Sequence, residues 1–272
     1  MKNDQPIKVL IATPSYDGKF DVRYLNSLFE TQKIAPSHNI QLLPYFLCYD
    51  SLIQRARNDY FRTAFQSGVD VLFFIDSDIG WNPEDFVKIV KSQYDVIGAS
   101  YRKKTNNEEL YAFKAKEVGQ NDFKLTPDSN GILEVSGLGF GFIKFSKSAV
   151  KALWDSEKNF YGGKSTDTQF TKNICECIIN SDNDFVSEDI IVGFKWAGLG
   201  NKTYLDTTID LIHSGNAEYT GDISQWLANW RITIDKKLGR TANNDESVDQ
   251  FIAAQATKPV ESTEEDDIFK IL

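Results

Sequence analysis

The sequence predicts an α/β fold built on a mostly parallel central sheet, and three observations predict it. Short apolar runs at Lys8–Ala12, Val69–Ile75 and Asp95–Ser100 have the length and composition of buried strands. Stretches with helical apolar spacing, Asp21–Thr31, Ser51–Gly68 and Pro83–Gln93, alternate with them. Each run gives way at its carboxyl end to a polar segment: Thr13–Asp17, Asp76–Asp78 and Tyr101–Lys104. Strands alternating with helices form parallel sheets by crossover, and such sheets bind ligands beyond the carboxyl ends of their strands.

The elements follow in order. After the first strand and its loop, Tyr24, Leu25, Leu28 and Phe29 share one side of the helix over 21–31. Ile40–Cys48 reads as a second strand. In the helix over 51–68, Leu52, Ile53, Ala56, Tyr60 and Ala64 are expected to face inward, and Gly68 ends it. Pro83 suits the first turn of the next helix, where a missing N–H costs little. Residues 102–126 are polar and read as a hairpin or loop. Ile132–Ser136 reads as a strand running into the glycine-rich Gly137–Phe142, and Ser146–Trp154 as a short helix. Residues 159–184 are loop-rich, Ser187–Ala197 is helical, and Thr203–Asp206 is a short strand. Ile209–Ile212 leads into His213, and Ile223–Lys237 forms a terminal helix with Trp226 and Trp230 one turn apart.

Composition narrows the function. The chain has 272 residues, enough for one large domain with a small appendage, and its formal charge is −9. Beyond Thr241, eight acids face only Lys258 and Lys270, a net of −6, which leaves −3 on residues 1–240. That stretch is expected to be a disordered acidic tail, 241–272, following a folded domain over 1–240. A nearly neutral body excludes a nucleic-acid face, which needs a strong positive field. Cys48, Cys175 and Cys177 make no disulfide framework, and Cys175-Glu-Cys177 lacks the spacing of a zinc knuckle, so inert thiols are expected. With no apolar run long enough to span a membrane and no signal-peptide core, the expected setting is a reducing cytoplasm.

Three elements carry chemistry. If Asp76-Ser77-Asp78 is extended, the two carboxylates point to one face just past a strand end. Like charges that close need compensation, and a hard divalent cation with oxygen ligands supplies it. The bland alternative is an acidic turn. Ser187-Glu188-Asp189 opens a helix, where Ser187 as a cap and acids suited to the helix dipole would need no function. His213 follows an apolar stretch and precedes Ser214-Gly215; alone it is more often structural than a ligand.

With these elements in this order, residues 7–235 resemble GT-A glycosyltransferases, especially the family-2-like enzymes of bacteria and large viruses. The resemblance implies a GT-A type nucleotide-binding sandwich, with Thr13, Pro14, Ser15, Tyr16 and Asp17 as the loop at the nucleotide. Arg57-Asn58 is similar to the Arg-Asn pair that precedes the metal strand in that family, and Asp76-Ser77-Asp78 to its Asp-x-Asp motif. Gly137–Phe142 matches the glycine-rich acceptor segment, Glu188-Asp189 the x-Glu-Asp motif, and His213 the late metal histidine. The implied activity is transfer of a sugar from a nucleotide-diphosphate sugar to a glycan or other hydroxyl acceptor. Asp78 and His213 are the expected direct metal ligands, with Asp76 on the ribose or on the metal through water. Mn²⁺ suits mixed carboxylate and imidazole ligands better than Mg²⁺. Arg57, Arg102 and Lys103 are candidates for phosphate contact. Asp189 is implied as the base of an inverting displacement, with Glu188 binding the acceptor; retention stays open.

Two other readings remain. A haloacid-dehalogenase-like phosphatase also places Asp-x-Asp after a strand, but here Ile79-Gly80 follows and the motif lies far from the first strand. A non-catalytic nucleotide-sugar- or glycan-binding module would not need Asp76, Asp78, Asp189 and His213 together.

Overall fold

A computed structural model of the chain describes residues 5–106, 108–161 and 170–240. The expected tail, 241–272, and part of the expected loop-rich segment lie outside the described residues.

The amino-terminal half alternates as expected: β1 (Ile7–Ser15), α1 (Val22–Ile34), β2 (Ile40–Cys48), α2 (Ile53–Ser67), β3 (Val71–Ile75), β4 (Ile79–Gly80), α3 (Pro83–Lys91) and β5 (Val96–Gly98). A hairpin of β6 (Phe113–Gly119) and β7 (Asp122–Lys124) follows, then β8 (Ile132–Leu138), β9 (Phe142–Ser146) and α4 (Lys147–Ser156). Two small hairpins come next, β10 (Asn159–Tyr161) with β11 (Phe170–Lys172) and β12 (Ile178–Ile179) with β13 (Phe185–Val186). The chain closes with α5 (Ile190–Gly198), β14 (Thr203–Asp206), β15 (Ile212–Ser214), β16 (Glu218–Tyr219) and α6 (Ile223–Lys237).

Nine strands form the central sheet in the order β2-β1-β3-β9-β5-β14-β8-β6-β7. Following the pairings across it, β2, β1, β3, β5, β14 and β6 run one way, and β9, β8 and β7 run the other. The expected central sheet is thus present in mixed form: six of its nine strands share one direction, β9 is inserted antiparallel between β3 and β5, and β8 and β7 run antiparallel to their neighbours. This inserted strand, Phe142–Ser146, begins at the last residue of the glycine-rich segment and takes in Ser146, expected as the start of the helix.

Side chains alternate across the pleat. Leu10, Ala12, Leu72 and Phe74 enter one core with α2, α4, α5 and α6. Val9, Ile11, Val71, Phe73 and Ile75 enter the other with α1 and α3. The molecule is therefore a three-layer α/β sandwich, the class the sequence predicts. In α2, Ala56, Tyr60 and Ala64 are buried as expected, but Leu52 and Ile53 stay exposed at its start. Two polar residues, Arg57 and Asn58, are buried in their stead. In α1 the inward side is Tyr24 and Leu28, while Phe29 is exposed.

Candidate active site

The site is built past the carboxyl end of β3. Asp76 N–H donates to the Gly141 carbonyl at 3.2 Å, and Ile79 N–H returns to the Asp76 carbonyl at 3.1 Å. Asp76-Ser77-Asp78 is therefore a turn, not the extended segment expected, and the two carboxylates diverge to different partners. A second, three-stranded sheet, β16-β15-β4, then fixes Asp78 against His213. His213 stands opposite Ile79 in the β15–β4 ladder, and Ser214 N–H donates to the Asp78 carbonyl at 2.8 Å. The imidazole ends with Nε2 at 3.5 Å from Asp78 Oδ2. Its Nδ1 lies 2.8 Å from the Arg102 carbonyl, which can only accept, so Nδ1 carries a proton and Nε2 is the ring nitrogen turned to Asp78. The Tyr101 ring packs on the imidazole at 4.8 Å between centroids.

Asp78 also takes an ion pair from the Lys104 ammonium. Burial pushes the Asp78 carboxyl up, but the hydrogen bonds from His213 and Lys104 outweigh it and hold the group below its ordinary value. Asp76 goes the other way. Burial raises it, the Arg57 guanidinium opposes, and the Asp78 and Asp189 charges add to the rise. Neighbouring acids on one turn thus have opposite tendencies, set by their different partners.

Arg57 is the hub of the second group. It is 4% exposed on α2, with its guanidinium 5.0 Å above the Phe140 ring. Nη1 donates to Glu188 Oε1 at 2.6 Å and lies 3.9 Å from Asp189 Oδ2, and Nη2 is 3.4 Å from Asp76 Oδ1. Burial alone would favour neutral Arg57, but the charges of Asp76, Asp189 and Glu188 more than offset this and raise its pKa.

The two acids stand at the start of α5. Asp189 itself is the cap, its Oδ1 accepting from Ile190 N–H at 2.8 Å and from the Ser187 hydroxyl. Ser187 is not the cap and the helix starts at Ile190, later than expected, with the Ser187 hydroxyl spent on the capping carboxylate. Asp189 Oδ2 is left toward Arg57. The helix reaches this position by packing close on β8. A Cβ on Gly193 would lie 2.3 Å from the Ser136 carbonyl and 2.7 Å from Gly137 Cα. Gly141 gives the Tyr101 ring the same allowance, since a Cβ there would meet it at 2.3 Å.

The other residues singled out from the sequence occupy varied settings. Thr13 is buried and shares a 2.7 Å hydrogen bond with the Tyr24 hydroxyl; Ser15 Oγ donates to the Lys19 carbonyl at 2.7 Å. Pro14 is part-buried, Tyr16 is exposed, and Asp17 is exposed and paired with Lys19 at 2.9 Å. Asn58 donates to the Cys175 carbonyl at 2.9 Å and accepts from Cys175 N–H at 2.8 Å, locking α2 to the segment before α5. The Ser77 carbonyl accepts from Asp21 N–H at 2.9 Å. Arg102 reaches the Thr220 carbonyl at 3.0 Å, and Lys103 is exposed. Cys175 is buried, with its thiol pushed up by desolvation, and Cys177 is exposed and raised for the same first cause. Lys104 and Tyr101 belong to the site but were marked only by their position at a strand end, and Phe140 only as part of the glycine-rich segment.

The donor set suits a divalent cation in kind. A carboxylate oxygen and an imidazole nitrogen lie side by side, the imidazole's other nitrogen is fixed by a backbone carbonyl, and a positive group already sits on the carboxylate. Among the described residues, no three His, Cys, Asp or Glu side chains converge closely enough to form a complete cage, so water or ligand oxygens would have to fill the remaining positions. Among the same residues, no helix is long and apolar enough to cross a membrane.

No protein-family model matches the chain, and no curated protein matches it in sequence. Among solved structures it is similar to A197 from STIV, with 15% identity, a TM-score of 0.46 and coverage of 77% of this chain and 86% of that one. It is also similar to mannose-1-phosphate geranyltransferase from Thermus thermophilus, with 10% identity, a TM-score of 0.35 and coverage of 56% and 61%. A third is a glycosyltransferase involved in the glycosylation of the major capsid of PBCV-1, with 12% identity, a TM-score of 0.29 and coverage of 55% and 66%. The chain spans less than two thirds of the length of the last two. With identities and TM-scores this low, the functional reading rests on side-chain geometry.

Proposed function

We propose that the chain is a metal-dependent GT-A glycosyltransferase that moves a sugar from a nucleotide-diphosphate sugar to a hydroxyl acceptor with inversion. The observation that supports it is the gathering of Asp76, Glu188 and Asp189 by one buried guanidinium, that of Arg57, beside the Asp78–His213 pair. One acid would balance the buried guanidinium, and three acids gathered past a strand end are the arrangement in which functional sites tune their groups.

In this reading Asp189 Oδ2 takes the proton of the acceptor hydroxyl as its oxygen bonds to the anomeric carbon and the sugar–phosphate bond breaks. Oδ1 is held by Ser187 and the Ile190 amide, which aims the other oxygen. Glu188, held by Arg57, orients the acceptor. Asp78 and His213 would hold a divalent cation, Mn²⁺ in preference to Mg²⁺, which would supply positive charge to the leaving diphosphate. Asp76 would contact the ribose or the cation through water. Tyr16 and Asp17, exposed beyond β1, meet the nucleotide, with Arg102 and Ser77 on its phosphate side. Thr13, Pro14, Ser15 and Asn58 hold the loop and α2 in place, since the polar groups of Thr13, Ser15 and Asn58 are bonded internally.

The test is calorimetric titration of nucleoside diphosphates with Mn²⁺ and with EDTA, followed by turnover with the nucleotide sugar whose base binds. Binding that requires the cation is the expected result. Equal affinity in both conditions overturns the metal assignment, and absence of turnover with every nucleotide sugar favours a binding module.

A further inference from the structure

We infer that Lys104 is a resident cation of the Asp78 site, which must leave Asp78 for a divalent ion to enter and then serves the donor's diphosphate. The inference rests on the proposed metal site. Lys104 Nζ is paired with Asp78 Oδ2, the same oxygen that faces His213 Nε2 at 3.5 Å. The ammonium therefore lies on the donor atom that a metal would use. Two cations on one carboxylate oxygen repel, so occupancy by one excludes the other.

The seat for this side chain is built into the backbone. A Cβ on Gly215 would lie 3.0 Å from Lys104 Cδ and 3.3 Å from Cε, so the aliphatic stem crosses β15's end close against residue 215. The loop beneath is anchored independently of the ammonium. Lys103 N–H donates to the Leu110 carbonyl at 2.7 Å, Arg102 Nη1 reaches the Thr220 carbonyl at 3.0 Å, and the Tyr219 hydroxyl bonds Asn106 at 3.1 Å. Exchange thus requires rotation of one side chain that is 36% exposed, not movement of the loop. Without ligand, Lys104 neutralises Asp78 and spares it an unpaired charge beside Asp76. With the cation in place, the displaced ammonium is free to take the diphosphate as its new counter-charge.

Isothermal titration of Mn²⁺ alone, without nucleotide, into the wild-type, Lys104→Met and Gly215→Ala proteins tests this. Lys104→Met removes the competing charge, and Gly215→Ala crowds its stem without removing it. Lys104→Met is expected to bind Mn²⁺ about two- to fivefold tighter, the worth of a part-exposed ion pair, with the gain shrinking as salt rises, and Gly215→Ala to move the same way by less. Nucleoside diphosphate with saturating Mn²⁺ is expected to bind Lys104→Met more weakly than wild type. Unchanged or weaker Mn²⁺ binding by Lys104→Met than by wild type overturns the inference and leaves the metal site standing. Absence of Mn²⁺ binding to all three proteins overturns both. Metal-independent nucleotide binding that Lys104→Met abolishes makes Lys104 a permanent substitute for the metal, and overturns both as well.

Discussion

Arg57 Nη1 lies 2.6 Å from Glu188 Oε1, an ion pair between a helix and a loop 131 residues apart in the chain, with both partners largely out of water. The same guanidinium faces Asp189 and Asp76, so removing it leaves three acids at the carboxyl end of β3 without their common counter-charge. Breaking a buried pair from one side typically costs about 3–5 kcal/mol. Arg57→Met is therefore expected to lower stability by that order in urea unfolding, and Arg57→Met with Glu188→Gln to recover part of it. A single variant as stable as wild type would show that Arg57 does not organise the acids.

Gly193 sets how closely α5 lies on β8. Because its Cβ would sit 2.3 Å from the Ser136 carbonyl, Gly193→Ala must push the helix outward, and overpacking of this kind costs about 1–3 kcal/mol. Asp189 and Glu188 head that helix and would move with it. Lower melting temperature together with lost transfer is expected; a variant with wild-type stability would mean that the sheet gives way instead.

Much of this was legible in the sequence because it is local. The β1 and β3 runs, the extent of β2 and α6, and the polar segments at strand ends follow from apolar spacing and turn residues. What could not be read depends on distant partners. Residues 137–146 are apolar and glycine-rich through most of their length, so no periodicity separates β9 from its neighbours, and its antiparallel place between β3 and β5 is a tertiary choice. A charged residue on a helix reads as exposed, so nothing local marked Arg57 as buried. At 187–189 three residues all suit a helix start, and only the fold chooses Asp189. Lys104 lies in a polar stretch beside another lysine and acquires meaning only from the glycine across from it.

Lys144 lies on β9 within the sheet, 3% exposed, with its ammonium donating to the Ser92 carbonyl at 2.7 Å. Burial lowers its pKa to about 8, against a smaller opposing pull from Asp95. Between about 8 and the ordinary lysine value, the unfolded chain holds a proton that the folded chain has released. More protons in the unfolded state means that stability rises with pH across that window. At lower pH both states are charged and the folded one bears the burial penalty in full. Relative to Lys144→Met, the wild type is expected to gain about 1 kcal/mol per pH unit between about pH 8 and 10, read from paired urea titrations. A constant difference would show that Lys144 keeps its proton when folded.

Asp189→Asn separates the chemical role of that residue from its structural one. The carboxylate caps α5 through Oδ1, and an asparagine oxygen can accept the same bonds from Ile190 N–H and the Ser187 hydroxyl. The cap should therefore survive, with a loss of dipole interaction of only ~0.3–1 kcal/mol. What the amide cannot do is take a proton from the acceptor, and loss of a general base typically slows the step by about 10²–10⁴-fold. The expected outcome is a folded protein that binds donor normally and transfers slowly in single-turnover measurements at saturating donor. Asp78→Asn should do the reverse, weakening cation-dependent donor binding, because its partners are His213 and Lys104, not the acids at α5. Near-normal transfer by Asp189→Asn would remove the base assignment and leave the residue as a helix cap. NMR of the product's anomeric centre gives an independent check, since retained configuration rules out a single displacement whichever residue is the base.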